Sequence, residues 1–342
     1  MENKRIVFTK KDTAELLGFE IPNCGENEVV VETAFSTISC GTERANITGD
    51  PNIAPSTDNK NAPPAFPKIL GYSSAGTVIA KGAGVTSVDV GDRVAVFWST
   101  HSQYNVVPAE NVIKIEDEGI SFSEAALAFI ASFSLAGIRK TRFEIGESAV
   151  VMGLGILGQF AVRLLRAAGA APIIAVDPVE SRREEALESG ADYAFSPLEE
   201  GFAAKVKALT GGGANVGIEV TGVGAGLDGI LDCMAKFGRV ALLGCTRNKE
   251  FTIDYYKKVH GPGITLVGAH TAARPNVESH PGYFTHRDDI KALLKLFSGK
   301  RLTLSDTVKE IHSPEECTEV YSRLVNDNDF PIVVQFDWSR LK

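Results

Sequence analysis

The chain has 342 residues, more than one hydrophobic core usually supports, so we expect two domains. Its residues are 44% hydrophobic and 23% charged, as in an ordinary globular protein, and the formal net charge is −8. An acidic chain lacks the basic excess that nucleic acids and anionic membranes attract, and no apolar run approaches the roughly 20 residues that span a bilayer. The sequence therefore predicts neither nucleic-acid nor membrane binding, and the N-terminus lacks the apolar core of a signal peptide.

The five cysteines are dispersed and odd in number, which favours reduced thiols in a cytoplasmic protein over a disulfide framework. No two of them lie within four residues of each other, so the C-x-x-C spacing of structural zinc sites is missing.

Residues 1–118 are rich in β-branched runs and glycine turns, which predict a β-rich N-terminal domain. Strands are expected at 29–33, 75–80 and 91–97. The polar segment 50–67 carries five prolines, so we expect a surface loop there, and long loops of this kind are often functional.

From Ser121 the pattern changes to helices that alternate with apolar strands, with Ser123 as the candidate cap of the first helix. Residues 119–276 are predicted to form a second domain. Six strands separated by helices indicate an α/β fold with a Rossmann doubly wound parallel sheet. The expected strands are 149–152, 172–177, one near Tyr193, 216–220, 239–243 and 264–267, and the expected helices include 156–168, 226–237 and, in the tail, 288–297.

The segment 153–158, GLGILG, follows an apolar strand and opens a helix, as the G-x-G-x-x-G fingerprint requires. Gly153 makes the tight turn, Gly155 lets the backbone approach a pyrophosphate, and Gly158 allows the helix to pack on the strand. Ile156 and Leu157 begin the helix, whose N-terminal N–H groups can bind phosphate. The motif predicts a dinucleotide cofactor.

Asp177 ends the second strand, 19 residues after Gly158. Its carboxylate can accept both hydroxyls of an adenosine ribose and would repel a 2′-phosphate, which favours NAD. NADP stays an alternative, because Arg182 and Arg183 follow closely and either could pair with a phosphate.

Together with this motif, the segments Cys40-Gly-Thr42-Glu43, 71–76 (GYSSAG) and 90–94 (VGDRV) resemble the medium-chain dehydrogenase/reductase superfamily, the zinc alcohol and polyol dehydrogenase family. The resemblance covers nearly the whole chain. It implies a GroES-like catalytic domain formed by 1–118 and completed by 277–342. It also implies hydride transfer between NAD(H) and an alcohol or carbonyl substrate.

The zinc ligands of that family are largely replaced here. Cys40 matches the first ligand, but Tyr72 stands where a histidine is expected, and residues 125–136 contain no cysteine, histidine, aspartate or glutamate for the third ligand. The lobe of four cysteines is also missing. A catalytic zinc needs three protein ligands, so we expect zinc to be absent.

In the family, the residue matching Thr42 passes the substrate proton toward the cofactor ribose; a turn residue is the alternative. Tyr72 is interpreted either as a general acid or as a filler of the lost metal cavity. Cys40 is a vestigial ligand or a packing residue, and His101 either lines the pocket or is structural. The resemblance further implies that Ser132 packs on the nicotinamide and that backbone atoms of three residues bond its carboxamide: Leu243, Ala269 and Thr271. Aromatic residues indicate a bulky or apolar substrate, unless they only pack the core: Trp98, Phe129 and Phe133.

The first hypothesis is a zinc-independent oxidoreductase for alcohols or carbonyls with NAD(H). The alternatives are an NADPH-dependent reductase of quinones or activated alkenes, an alcohol dehydrogenase with atypically ligated zinc, and a protein without turnover, either a nucleotide-gated sensor or a crystallin-like structural protein. The resemblance also implies a homodimer that pairs strands around Leu242 and Leu266.

Overall fold

The computed structural model describes residues 2–50, 65–245, 250–327 and 329–342, apart from the side chain of Glu2. The chain divides into two compact units: Met1–Ile130 with Ile290–Lys342, and Ala131–Asp289. Most of the expected surface loop at 50–67 lies outside the described residues. Within the described ranges, no helix is both long and apolar enough to cross a bilayer.

The elements follow one another in three stretches of chain. The N-terminal stretch contains β1 (Glu2–Lys10), β2 (Thr13–Glu20), β3 (Glu28–Thr37), α1 (Cys40–Ile47), β4 (Lys68–Ile69), β5 (Ser73–Lys81), β6 (Arg93–Phe97), β7 (Tyr104–Pro108), β8 (Val112–Lys114) and α2 (Phe122–Ala125). The central stretch contains α3 (Ala128–Lys140), β9 (Ala149–Met152), α4 (Ile156–Ala168), β10 (Ile173–Val176), α5 (Glu180–Glu188), β11 (Tyr193–Phe195), α6 (Phe202–Leu209), β12 (Ala214–Glu219), α7 (Gly224–Asp232), β13 (Met234–Leu242) and β14 (Thr265–Gly268). The C-terminal stretch contains α8 (His286–Ser298), β15 (Glu310–His312), α9 (Cys317–Asn326) and β16 (Val334–Asp337).

The first unit is β-rich, as expected for a GroES-like domain. Its seven-stranded sheet runs β15-β16-β3-β5-β6-β8, with β7 also paired to β3, and a second sheet runs β2-β1-β4. Strand β16 pairs antiparallel with β3, with Gln335 opposite Thr37. The C-terminal strand therefore belongs to the same sheet as the N-terminal strands, and the packing of α9 residues Val320 and Tyr321 with Phe8 of β1 extends the shared core.

The second unit is a six-stranded parallel sheet in the order β11-β10-β9-β12-β13-β14, which confirms the predicted doubly wound fold. Every residue of β9 and β10 is buried, as expected when helices cover both faces of a parallel sheet. From β9 the chain first moves outward to β10 and β11 and then returns to the other side at β12. Ligands of doubly wound proteins bind at the carboxyl ends of strands beside such a reversal.

The expected helix at 226–237 is wrong at its end. Helix α7 stops at Asp232, and β13 begins at Met234, where it pairs with Ala214 of β12. Phe237 is consequently a strand residue, with a φ of +63° and 76% exposure. The sheet pairing supplies hydrogen bonds that a further helical turn would forgo, and this competition is not visible in local apolar spacing.

The expected helix cap at Ser123 is also wrong. The hydroxyl of Ser121 accepts the Glu124 N–H at 3.1 Å and caps α2. The Ser123 hydroxyl instead donates to Oε1 of Gln335 at 2.6 Å. The Ser123 side chain therefore bonds a residue 212 positions away in the sequence and does not cap the helix.

Candidate active site

The glycine turn of the second unit has the geometry that its sequence implies. Gly153 has a φ of +95°, and a Cβ there would lie 2.9 Å from Cγ2 of Thr221. A Cβ on Gly158 would lie 1.9 Å from the carbonyl oxygen of Gly153, so only glycine lets α4 pack this closely on the turn. A Cβ on Gly155, the N-cap residue of α4, would meet nothing within 4 Å. The open space at Gly155 fits the close approach of a pyrophosphate to the helix N-terminus.

Asp177 follows β10 directly and is 4% exposed. Its Oδ2 accepts the N–H of Leu154 at 2.8 Å, and its Oδ1 accepts the N–H of Val179 at 2.9 Å. The carboxylate therefore connects the glycine turn to the β10–α5 loop. Two accepted bonds leave about half of the acceptor capacity of a carboxylate for ribose hydroxyls.

The two arginines after Asp177 differ in their partners. Arg182 Nη1 lies 3.9 Å from Oδ2 of Asp177. Arg183 Nη1 donates to the carbonyl oxygens of Asp177 and Pro178 at 2.8 and 2.9 Å. Both guanidinium groups are thus drawn toward Asp177 and its backbone.

The residues expected beside the nicotinamide lie at or near the carboxyl ends of β13 and β14, and in α3. The N–H of Leu243 donates to the carbonyl of Glu219, and the N–H of Ala269 donates to the carbonyl of Leu242, at 2.9 and 3.0 Å. The hydroxyl of Thr271 is buried, and no group among the described residues is a hydrogen-bond partner for it. A buried hydroxyl without a partner costs free energy, so its position suits a polar ligand such as the nicotinamide carboxamide.

Buried charged groups hold the segment that carries Ala269 and Thr271. Lys140 Nζ, at the end of α3, donates to the carbonyls of Gly268 and Ala273 at 3.1 and 2.5 Å. Arg274 donates to the carbonyl of Ser132 at 2.5 Å and, also at 2.5 Å, pairs with the fully buried Asp289.

Sequence reasoning missed this cluster of Lys140, Arg274 and Asp289. Lys140 and Arg274 bond backbone carbonyls that lie 128 to 142 residues away in the chain. The available signal was an Arg139-Lys140 pair at the end of an otherwise apolar helix.

In the first unit, α1 carries Cys40, Thr42 and Glu43. Cys40 Sγ lies 3.5 Å from the carbonyl oxygen of Ile332, a contact in which the thiol is a weak donor. Thr42 is exposed, whereas Glu43 is 1% exposed. One helical turn thus presents a hydroxyl outward and a carboxylate inward.

Tyr72 belongs to an aromatic cluster. Its ring packs edge-on against Trp98 and Phe129, with centroids 6.1 and 5.7 Å away. Its hydroxyl donates a short hydrogen bond to Oγ of Ser39. Trp98 is 46% exposed and has a φ of +55°, which is uncommon for a bulky residue and is frequent at functional sites.

His101 is 1% exposed and packs inside the first unit. Its Nδ1 lies 2.8 Å from Oγ of Ser36, and its Nε2 lies 3.2 Å from Oε2 of Glu43. The Tyr321 hydroxyl donates to the same carboxylate oxygen at 2.5 Å. Of the two interpretations of His101, these contacts are those of the structural one.

The buried carboxylate of Glu43 is held in its ionised form. Burial by itself raises the pKa of Glu43, but the nearby His101 and the hydrogen bonds from His101, Tyr321 and the Ser39 N–H outweigh it and lower the pKa. Burial and the negative charge of Glu43 raise the pKa of Tyr321 well above its usual value, so this phenol stays a donor.

Two arginines of the same unit, Arg44 and Arg93, bond groups other than Glu43. Arg44 donates to the carbonyl of Leu324, and Arg93 donates to that of Ile120. Ser39 and Tyr321 were not identified from the sequence, because one lies in a strand-to-helix turn and the other in a distant helix.

The donor groups present do not match a zinc ligand set. In the part of the chain that the structure describes, no three His, Cys, Asp or Glu side chains group closely enough to hold a metal ion. The side chains that the structure does not describe add only Glu2 and Asp58 to these donor types. At the position of the family's zinc site the chain has one thiol, Cys40, and the phenol of Tyr72, whereas a catalytic zinc takes three protein ligands.

Two protein families match this chain, one in each structural unit. Residues 25–117 match the alcohol dehydrogenase GroES-like domain, and residues 157–280 match the zinc-binding dehydrogenase family.

Two curated relatives align over most of this chain. A D-guloside 3-dehydrogenase of Escherichia coli K12 is 27% identical over 341 residues, 95% of this chain and 97% of the relative. An L-threonine 3-dehydrogenase of Pyrococcus horikoshii is 30% identical over 75% of this chain and 79% of the relative.

Among solved structures, an alcohol dehydrogenase from E. coli CFT073 in complex with NADH superposes with a TM-score of 0.82 at 19% identity, covering 98% of this chain and 99% of that one. This similarity shows the shared fold. With the 30% identical relative and the two family matches, it leads to one conclusion: the chain belongs to the medium-chain, zinc-type alcohol dehydrogenase superfamily and is an NAD(P)-dependent dehydrogenase that acts on CH–OH groups.

Proposed function

We propose that this protein interconverts an alcohol and a carbonyl compound with NAD(H) and without zinc, and that Thr42 and Tyr72 handle the substrate proton. The observation that carries the proposal is the environment of Tyr72. Its phenol replaces the ligand histidine of the family, its oxygen is hydrogen-bonded to Ser39, and its ring lies against the exposed Trp98.

The chemistry divides between cofactor and protein. Bound nicotinamide accepts or returns a hydride, so the protein must orient the substrate and manage one proton. The phenol of Tyr72 can accept a hydrogen bond from an alcohol or donate one to a developing alkoxide. Thr42 is exposed and can both donate and accept. These two hydroxyls would stabilise the charge that zinc otherwise offsets.

The preference for NAD over NADP rests on Asp177. Its buried carboxylate would repel a 2′-phosphate and can accept ribose hydroxyls. Arg182 and Arg183 are drawn to Asp177 and its backbone, which supports the same preference. The measurement is the ratio of kcat/KM for the two cofactors, and a preference of about tenfold or more for NADPH would contradict the proposal.

Zinc independence is tested by metal analysis of protein purified without added metal. We expect well under one equivalent of zinc, and we expect prolonged dialysis against a chelator to leave the turnover rate unchanged. One equivalent of tightly bound zinc, lost together with activity on chelation, would contradict the proposal that the enzyme works without zinc.

The substrate is proposed to have an apolar or ring-shaped face, because Trp98, packed on the buried Phe129, exposes an aromatic ring beside Tyr72. Candidate alcohols can be compared by following nicotinamide absorbance as each is oxidised. The panel contains a D-guloside and L-threonine, chosen from the names of the two curated relatives, together with benzyl alcohol and 2,3-butanediol. We expect the ring-containing alcohols to be oxidised faster than L-threonine. Faster oxidation of L-threonine than of the ring-containing alcohols would contradict an aromatic contact with the substrate.

We also propose a homodimer formed through β14, the edge strand of the six-stranded sheet. Leu266 on this strand is 37% exposed, and pairing between copies would remove an unpaired edge. Light scattering after size exclusion should give twice the chain mass, and Leu266→Lys should lower it. A wild-type monomer would rule the dimer out.

A further inference from the structure

Ser39 is a helix N-cap residue whose hydroxyl does not cap its helix. Serine at this position normally accepts an N–H from the first turn, and α1 has no such side-chain bond. The hydroxyl oxygen instead accepts the phenolic hydrogen of Tyr72, 33 residues later in the sequence. Ser39 is 6% exposed, so water does not readily replace this partner.

The backbone of Ser39 is held from the other side by Glu43. Oε1 of Glu43 accepts the Ser39 N–H at 2.8 Å, and the Glu43 N–H donates to the Ser39 carbonyl at 2.8 Å. The strand-to-helix turn is therefore closed by a carboxylate and not by the serine hydroxyl. This arrangement leaves the Ser39 oxygen directed at Tyr72.

Glu43 is in turn held by two buried side chains. Tyr321 donates to its Oε2, and His101 Nε2 lies 3.3 and 3.2 Å from its two oxygens. The rings of His101 and Tyr321 both pack against Phe336. The carboxylate consequently has little freedom to move.

An outer pair completes the chain of contacts. His101 Nδ1 lies 2.8 Å from Oγ of Ser36, and the indole N–H of Trp338 donates to the same oxygen at 2.9 Å. One arrangement satisfies every group: Nε2 of His101 donates to Glu43, the Ser36 hydroxyl donates to Nδ1, and Trp338 donates to Ser36. Side chains from α1, α9, β3 and the C-terminus thus form one buried network.

We propose that Ser39 is a positioning residue for Tyr72, and that Glu43, His101 and Tyr321 exist as a buried network that fixes Ser39. Through this hydrogen bond, Ser39 fixes the position of the Tyr72 oxygen beside the substrate oxygen. A serine hydroxyl can donate as well as accept, so the phenol keeps the ability to give its hydrogen to a developing alkoxide. The network replaces the positional control that a metal ion gives to its ligands. This inference rests on the role proposed above for Tyr72.

The test is a double-mutant cycle with Ser39→Ala and Tyr72→Phe, assayed with the panel alcohol that the wild type oxidises fastest. We expect Ser39→Ala to lower kcat about tenfold, the factor that one hydrogen bond is worth, with the KM for NAD unchanged. In the Tyr72→Phe background the same substitution should lower kcat by less than about twofold, because Ser39 acts only through the phenol.

Two further variants separate positioning from general stability. Tyr321→Phe removes one donor to Glu43 and keeps the ring that packs on Phe8, so it should lower kcat in the wild type but not in Tyr72→Phe. Thr307→Val is the matched control: it deletes a fully buried hydroxyl whose hydrogen bond goes to the Leu304 carbonyl, and kcat should stay at the wild-type value.

The outcomes distinguish this inference from the proposed function. An unchanged kcat in Tyr72→Phe overturns the role of Tyr72 itself. A low kcat in Tyr72→Phe beside an unchanged kcat in Ser39→Ala overturns only the inference. An equal loss from Ser39→Ala in both backgrounds also overturns it, because the serine would then act independently of Tyr72.

Discussion

The glycine turn of the second unit and the Tyr72 cluster of the first unit are built in different ways. The turn consists mainly of backbone: a positive φ at Gly153, helix N–H groups and one carboxylate, all within residues 153–177. The cluster consists of side chains from distant parts of the chain: the Tyr72–Ser39 bond joins residues 33 positions apart, and the Tyr321–Glu43 bond beside it joins residues 278 positions apart. A site of the first kind can be recognised in a sequence motif, whereas a site of the second kind exists only after folding.

The sharpest test of the cluster is Tyr72→Phe. Loss of a general acid should lower kcat roughly 100-fold or more, while the affinity for NADH stays the same. The free energy of unfolding should fall by only about 1 kcal/mol, since one hydrogen bond to Ser39 is lost. Steady-state kinetics and fluorescence titration with NADH make the measurement. Tyr104→Phe in the same unit is the control, and a kcat loss shared by both variants would count against a special role for Tyr72.

Two alanine substitutions in the glycine turn should have different consequences. A Cβ on Gly158 would lie 1.9 Å from a backbone oxygen, so Gly158→Ala should lower stability by about 1–3 kcal/mol and abolish most NADH binding. A Cβ on Gly155 meets no protein atom within 4 Å, so Gly155→Ala should weaken NADH binding without changing the melting temperature. Equal melting temperatures for both variants would contradict this geometry.

Asp177→Asn tests the link between the turn and cofactor choice. The amide keeps one acceptor oxygen but places an NH2 group against a backbone N–H that the carboxylate now binds. We expect the preference for NAD over NADP, measured as the ratio of kcat/KM, to fall about tenfold. Asp192→Asn, at a carboxylate just before β11 that accepts the Ile173 N–H, should leave the ratio unchanged.

The second unit should also lose stability in acid through His286. Burial, with Arg274 nearby, lowers its pKa from 6.5 to about 3, so the folded protein keeps this imidazole neutral. Because the unfolded chain binds the proton at higher pH, the contribution of neutral His286 is present above pH 6.5 and is lost as the pH falls toward 3. The measurement is the free energy of unfolding in urea at several pH values, for the wild type and for His286→Gln. This free energy should decrease less with falling pH in the variant, and an equal pH dependence in both proteins would contradict the prediction.

The smallest expected effect belongs to Thr271→Val. The Thr271 hydroxyl is buried without a hydrogen-bond partner among the described residues, so removing it should leave the cofactor-free protein as stable or up to about 1 kcal/mol more stable. If the hydroxyl binds the nicotinamide carboxamide, the KM for NAD should rise a few-fold. A lower melting temperature without cofactor would mean that the hydroxyl already has a partner.

How far sequence reasoning reached depended on how local each feature is. The bounds of α4 and its end at Gly169 agree with the prediction, because helix periodicity and a left-handed glycine are local signals. The end of α7 and the cap at Ser123 were predicted wrongly, because pairing with β12 and a bond to Gln335 decided them. Local propensity is a weak prior where tertiary contacts compete.

The sequence by itself determined the doubly wound sheet, the dinucleotide motif and the acidic residue beside it, because all three follow from apolar periodicity and glycine spacing. Only the tertiary structure decided what surrounds Tyr72. It brought Ser39, His101 and Tyr321 to the buried Glu43, and it placed Lys140 and Arg274 against the segment that carries Thr271. The physical reason is that a buried polar side chain must find a partner, and the partner is whichever group the fold brings within reach.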